Sequence, residues 1–211
     1  MIHAKLASHQ SVRRRAGMLT LVRVRSLSPK RCLFLSPRNG KNGYQSYRLS
    51  KKVGVPPALL YQVIADVSKY QEFVPFVTES FVNERNVLTS LPTEAGLRVG
   101  WKQFDEMFTC TLECLKNKIV AESISILLFD CLHNEWNLKE AKSRFTDEPS
   151  TLVELSLTYK FKNPLYNTLS SLFHEQVSSI MMKAFEDRAM KIRAVYKDDV
   201  DQGIANDVDK N

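Results

Sequence analysis

The sequence predicts an α+β fold in which a bent antiparallel sheet wraps around one long carboxy-terminal helix. Three observations predict it. From Asn163 to Tyr196, about nine helical turns, Leu165, Leu169, Leu172, Phe173, Val177, Ile180, Met181, Ala184, Phe185, Ala189 and Ile192 recur at three- and four-residue steps and form one apolar stripe. From Val77 onward the hydrophobic period changes to two, in short segments separated by turn residues. Before those segments, Pro56 and Pro57 open a short amphipathic helical stretch.

In chain order, the alternation from Tyr47 to Val55 reads as a first strand, stopped by the two prolines. Leu59, Leu60, Val63, Ile64 and Val67 then keep helical spacing. Tyr70 to Phe76 is aromatic and broken by Pro75, so it reads as a second short helix or a loop. Thr78 to Asn83 and Val87 to Leu91 read as a hairpin about Asn83 to Asn86. Leu97, Val99 and Trp101 alternate with polar residues or glycine. Phe108, Cys110, Leu112 and Cys114 continue the alternation to a turn at Asn117 and Lys118. Leu132, Asn134, Trp136 and Leu138 follow, then a polar turn at Asp147 to Ser150, then Val153, Leu155, Leu157, Tyr159 and Phe161. Strands with one wet and one apolar face need helices on one side only, which is the helix-grip arrangement.

Charge divides the chain into a leader, a domain and a tail. Residues 1–52 hold thirteen Lys and Arg and no acid, while the remaining 159 residues carry 17 basic against 23 acidic side chains, a net of −6. The overall charge of +7 therefore belongs to the leader, and the domain lacks the clustered cations that a phosphate-binding surface needs. Residues 1–43, Arg-rich, Ser-containing and free of acids, have the composition of a mitochondrial transit peptide or disordered basic leader. Residues 46–196 form the expected domain. The acidic stretch 197–211 is expected to be a disordered tail. No uninterrupted apolar run reaches the roughly 18 residues of a membrane span, so membrane contact is expected to be peripheral.

Catalytic signatures are absent or incomplete. His174-Glu175 begins like HExxH, but Ser178 stands where the second imidazole belongs. There is no Gly-rich phosphate loop and no GxSxG elbow. Asp105 and Glu106 point to opposite faces of an extended strand, and one of them is expected to pair with Arg98 or Lys102. Cys131 and His133 share a strand face, and two ligands alone do not make a metal site. Cys110 and Cys114, roughly 13 Å apart along a strand, are too distant to bridge. All three domain cysteines read as small buried hydrophobes in a reducing compartment. What remains is a surplus of aromatic groups on inward parities, which either fills an ordinary core or lines a cavity. Asn134 stands out on that face, because a buried amide without partners costs about 1–3 kcal/mol.

The segments VPPALLYQVIADVSKYQEFVPF, EAGLRVGWKQFDEMFTCTLECL, LLFDCLHNEWNL and FKNPLYNTLSSLFHEQVSSIMMKAFEDRA together resemble the mitochondrial coenzyme Q-binding family of the polyketide cyclase/START superfamily, from about Tyr47 to Tyr196. The resemblance implies a START-like helix-grip fold with a lipid cavity between sheet and helix. It implies a non-enzymatic binding protein for ubiquinone that supports respiratory electron transport and ubiquinone biosynthesis, with ubiquinone as ligand and no metal or other cofactor. It also implies peripheral attachment to the matrix side of the mitochondrial inner membrane and no nucleic-acid partner. A ribosome-associated module and a cyclase-type enzyme of the same superfamily are the alternatives. On this reading Leu97, Val99, Trp101, Phe108, Leu112, Trp136, Phe173, Val177 and Met181 are expected to wall the cavity, with Asn134 as polar contact to the quinone head. Phe73, Val74, Pro75 and Phe76, with Leu128 and Phe129, are expected to form a lip on the membrane.

Overall fold

The computed structural model describes residues 44–101, 104–142, 148–166 and 174–208, with positions 101, 104, 174–178 and 197–208 described by backbone. The expected leader 1–43 lies outside the described residues. Among the described residues seven strands are present: β1 Gln45–Val53, β2 Val77–Arg85, β3 Pro92–Trp101, β4 Phe104–Leu115, β5 Lys118–Ser123, β6 Phe129–Lys142 and β7 Pro149–Phe161. They form one sheet in the order β1-β7-β6-β5-β4-β3-β2, every neighbouring pair antiparallel. The sheet is open, with β1 and β2 as its edges. Between the first two strands come α1 Pro57–Ala65, a 3-10 turn Val67–Lys69 and α2 Tyr70–Phe73, and the chain closes with α3 His174–Val208.

Local chemistry explains most boundaries. Pro56 is extended at φ −60 and ψ 146, and Pro57 occupies the first turn of α1, where a missing N–H costs nothing. Lys116 and Asn117 close the β4–β5 hairpin in two residues, and the positive φ of 59 at Asn117 is one that an Asn tolerates. One expected strand is not a strand. Val87 to Leu91 is a loop, with Val87 and Leu88 at 96% and 93% exposure. Asn86 Oδ1 accepts from the backbone N–H groups of Leu88 and Thr89 at 2.9 and 3.1 Å, and Ser90 N–H returns to Asn86 O at 2.8 Å. That side-chain turn outcompetes the β propensity of Val and Leu.

The last helix also differs from expectation. A helical turn occurs at 164–166, where Pro164 begins, but α3 itself runs from His174 to Val208. Its backbone is helical through 197–208, part of the segment whose composition predicts a disordered tail. The buried stripe passes through Met182, Phe185 and Ala189, with Met181 and Ile192 half-buried against it. Ile180, expected on this stripe, is exposed. Five residues before Phe185 is about 140° around the helix, off the packed face, whereas Met182 lies three residues before it.

Phe185 is the centre of the core. Its ring meets those of Tyr70 at 5.0 Å, Phe73 at 5.2 Å and Trp136 at 5.0 Å, the first two edge-on. The second half of α3 is tied down by polar links as well: Lys51 to Glu186 at 2.5 Å, Arg188 to Glu72 at 2.9 Å, and Arg193 to Gly54 O and Glu148. Tyr70 donates its hydroxyl to Ile64 O at 2.5 Å, and burial pushes its phenol well above the ordinary 10.0. Burial likewise pushes the Cys110 thiol from 9.0 up to about 12. Both groups hold their protons in the folded state after the unfolded chain has released them, so the folded state binds more protons above about pH 9. Stability is therefore full below the unfolded values and falls as pH rises from about 9 towards 12. Urea titrations between pH 8 and 11 check this, and Cys110→Ala flattens the lower part of the slope.

Candidate functional site

Register decides which side chains share the inner face. Leu97 lies opposite Phe108, Val99 opposite Glu106, Leu112 opposite Ala121, Ala121 opposite Asn134, Asn134 opposite Leu157, and Trp136 between Ile119 and Leu155. Because the side-chain period is two, Leu97, Val99, Phe108, Leu112, Asn134 and Trp136 fall on one face, as the alternation predicts. They are not equivalent. Trp136 is buried in the packed end against Phe185. Leu97, Leu112 and Met181 are half-buried at the margin of the core. Val99 and Phe108 are half-buried beyond it. For Trp101 the backbone alone is described, opposite Phe104. Phe173 lies outside the described residues, as does the side chain of Val177.

A second aromatic group occupies the other end of the face. Phe108 meets Phe129 edge-on at 5.4 Å, Phe129 meets Phe161 at 4.7 Å, and Phe161 meets Tyr166 at 5.7 Å. Phe129 joins this side because a register shift between Phe129 and Cys131 inserts an extra residue at the start of β6. Along β6, Trp136 and Phe129 are roughly 20 Å apart. The inner face is thus aromatic at both ends, with leucines and Asn134 between.

Asn134 and Glu106 are polar breaks in this apolar surface. Ser80, opposite Leu97, and Ser123, opposite Cys110, share the inward parity with their hydroxyls held by Ser68 O and Thr109 O. The Oδ1 of Asn134 is shielded from solvent and accepts no hydrogen bond from any described residue. Glu106 takes the inward parity of β4, and its Oε1 accepts the Tyr166 hydroxyl at 2.8 Å. That hydrogen bond raises the Tyr166 phenol above its ordinary value. Asp105, on the opposite face, forms a bidentate pair with Arg98 at 2.8 and 2.7 Å, and the guanidinium hydrogen bonds hold its carboxyl below the usual range. The parity reading of Asp105 and Glu106 and the Arg98 pairing agree with the structure. Glu106 and Tyr166 were not among the expected site residues. Their signal is the one that exposes Asn134: Glu106 is a polar break in the alternation of Phe104, Phe108, Cys110 and Leu112.

The expected lip is corrected in part. Val74 and Phe129 are interior residues at 4% and 6% exposure, and Phe73 packs edge-on against Tyr70 and Phe185. The turn at the end of α2, held by Val74 N to Tyr70 O at 2.7 Å, folds Phe73 and Val74 back over the core, and the register shift at the start of β6 turns Phe129 inward. Pro75 and Leu128 are half-buried, and Phe76 is exposed with a positive φ of 69. Among the described residues, Ile124, Ile126 and Leu127 of the β5–β6 loop project from this end, at 39%, 72% and 89% exposure. Leu128 O of that loop accepts from Lys162 N at 3.0 Å, which places the loop beside the segment leading to Tyr166.

A separate groove of about 790 Å³ opens between α1 and the β4–β5 hairpin, lined by Ala58, Tyr61, Ala65, Leu91, Cys114 and Leu115 among others. None of the expected wall residues lines it. On the outer face, Cys131 and His133 sit together as predicted. Cys131 is disulfide-bonded and so is not the free thiol expected, whereas Cys110 and Cys114 are free. Among the described residues no group of three His, Cys, Asp or Glu could hold a metal ion, and no helix is long and apolar enough to cross a membrane.

An open antiparallel sheet folded against a long helix, with an aromatic inner face, defines a START-like helix-grip protein. Solved structures agree on the fold. A START superfamily protein from Mycobacterium smegmatis has TM-score 0.56 at 15% identity, covering 70% of this chain and 98% of its own. The Zhui aromatase/cyclase from Streptomyces has TM-score 0.55 at 16% identity, covering 70% and 94%. Residues 53–186 match the model of the family described as polyketide cyclase / dehydrase and lipid transport. The chain is 40% identical over 165 residues to the mitochondrial coenzyme Q-binding protein COQ10 of Eremothecium gossypii, covering 76% of this chain and 79% of that protein. It is 38% identical over 159 residues to the same-named protein of Saccharomyces cerevisiae, covering 74% and 75%. The chain belongs to the polyketide cyclase / dehydrase and lipid transport family, in its coenzyme Q-binding COQ10 branch.

Proposed function

We propose that this protein binds coenzyme Q without transforming it, holding the quinone on the inner face of the sheet beneath the first half of α3. The observation that carries the reading is the inner face itself. It is aromatic at both ends and interrupted by a buried amide oxygen that no described residue satisfies. The identity to proteins named for coenzyme Q binding supports the same ligand. Exposing a polyisoprenoid tail to water costs about 0.8 kcal/mol per methylene-sized group, so a free quinone stays in the bilayer. Apolar walls that replace lipid remove that barrier.

On this reading Leu97, Val99, Phe108 and Leu112 contact the tail, with Trp101, Phe173 and Val177 completing the wall, and Asn134 meets the head group. Met181 closes the space from the helix. The protein works at the matrix side of the mitochondrial inner membrane, delivered there by residues 1–43. It docks peripherally through Ile126, Leu127, Leu128 and Phe76, and supplies quinone to respiratory and quinone-biosynthesis complexes. Quinone exchange between vesicles tests the proposal. Ubiquinone moves from loaded to empty phosphatidylcholine vesicles faster in proportion to added protein, and a rate independent of protein contradicts a carrier.

A further inference from the structure

We propose that the hydrogen bond from Tyr166 to Glu106 is a latch across the entrance to the inner face, and that it sets how fast a ligand enters and leaves. The inference rests on the quinone-binding reading above and adds how the site is opened.

The entrance is where β5 runs out. That strand has 6 residues, against 12 in β4 and 14 in β6. Its pairing with β4 ends at Ser123 opposite Cys110, and its pairing with β6 at Glu122 opposite His133. Phe104 to Thr109 of β4 and Phe129 to Leu132 of β6 continue past it without a common neighbour, the first paired with β3 and the second with β7. The sheet therefore divides at this end into two flaps that no backbone ladder joins. The β5–β6 loop crosses between them. Thr109 N–H donates to Ser125 Oγ at 2.8 Å on the β4 side, and Lys162 N–H to Leu128 O at 3.0 Å on the β7 side.

Two side-chain contacts also span the flaps. Phe108 of β4 meets Phe129 of β6 edge-on at 5.4 Å, and Glu106 Oε1 of β4 accepts the Tyr166 hydroxyl at 2.8 Å. Tyr166 belongs to the β7 side, since its N–H donates to Asn163 O at 3.1 Å and its ring meets Phe161 edge-on at 5.7 Å. An apolar contact tolerates sliding, whereas a hydrogen bond is lost beyond about 3.5 Å. The polar pair is thus the link that separates a closed from an open arrangement. Glu106 is half-buried, so water replaces the hydroxyl when the flaps part and the cost of opening stays modest. Glu106 and Tyr166 bond to each other rather than to the residues that meet the tail. Loosening them raises the open population alike for the empty and the loaded protein, and both rates rise together.

The test uses the full chain and a ubiquinone analogue with a ten-carbon saturated tail. Association is followed by quenching of tryptophan fluorescence on rapid mixing, and dissociation by mixing loaded protein with excess empty phosphatidylcholine vesicles. In Tyr166→Phe, which loses only the hydroxyl, both rates increase about fivefold while the affinity stays within about twofold of the parent. In a Glu106→Leu background the same tyrosine change alters neither rate by more than about twofold, because the bond is already gone. Should Glu106→Leu fail to fold, Glu106→Ala carries the comparison. Unchanged rates in Tyr166→Phe overturn the inference. Faster dissociation alone, with weakened binding, also overturns it and makes Tyr166 a ligand contact. Equal acceleration in both backgrounds overturns it too, since the effect then does not pass through Glu106. A parent protein that binds no analogue is a different result and refutes the quinone-binding reading, and this inference with it.

Discussion

Replacing Phe185 by Ala lowers the unfolding free energy by about 3–5 kcal/mol, the range for a large aromatic removed from a packed interior. The size follows from position. Phe185 is buried at 1% exposure, and three rings from two different elements converge on it: Tyr70 and Phe73 from α2 and Trp136 from β6. No single neighbour can move to fill the space without losing its own partners, so the cavity stays open. Since a domain of this size is stable by only about 5–15 kcal/mol, the variant loses a large share of its stability. Denaturant titration of the two proteins gives the difference directly. A loss below about 1 kcal/mol would show that α3 is not anchored on the sheet through this residue.

The second large effect is on binding. Phe108→Asp abolishes quinone binding, with an affinity loss of at least about a hundredfold, because an unpaired carboxylate on an apolar wall must be desolvated by the ligand. Phe108 lies on the inner face opposite Leu97 and against Phe129, outside the tightly packed core, so the fold survives the change. Leu115→Asp is the control. Leu115 is exposed and lines the groove beside α1, so the variant binds quinone as the parent does if the ligand occupies the inner face. The reverse pattern, with Leu115→Asp losing affinity and Phe108→Asp retaining it, would move the ligand into that groove.

Much of this arrangement is legible from local pattern. Alternation alone puts Leu97, Val99, Phe108, Leu112, Asn134 and Trp136 on one face, and register confirms it strand by strand. Asn134 is visible because an amide at an inward position contradicts its neighbours. Other features depend on information that short segments do not contain. Val87 and Leu88 look like strand residues, but Asn86 turns the backbone there through its own side chain. Ile180 and Met182 are both apolar, and only the angular position fixed by Phe185 and Ala189 decides which one is buried. The Tyr166 to Glu106 hydrogen bond joins residues 60 apart in sequence, so neither residue announces the other. Val74 and Phe129, apolar residues in or beside loops, could lie on a lip or fold inward, and the structure has them inward because the α2 turn and the shift at the start of β6 aim them there.

The central claim is that the inner face holds coenzyme Q, and the most direct test asks what the folded protein carries. The chain is expressed in a host that makes ubiquinone, purified in its folded state without added lipid, and extracted with organic solvent for mass spectrometry. Ubiquinone, or its quinol, recovered at close to one molecule per chain is the predicted result, with Phe108→Asp purified in parallel carrying none. A folded sample that yields no quinone and no other isoprenoid lipid contradicts the account.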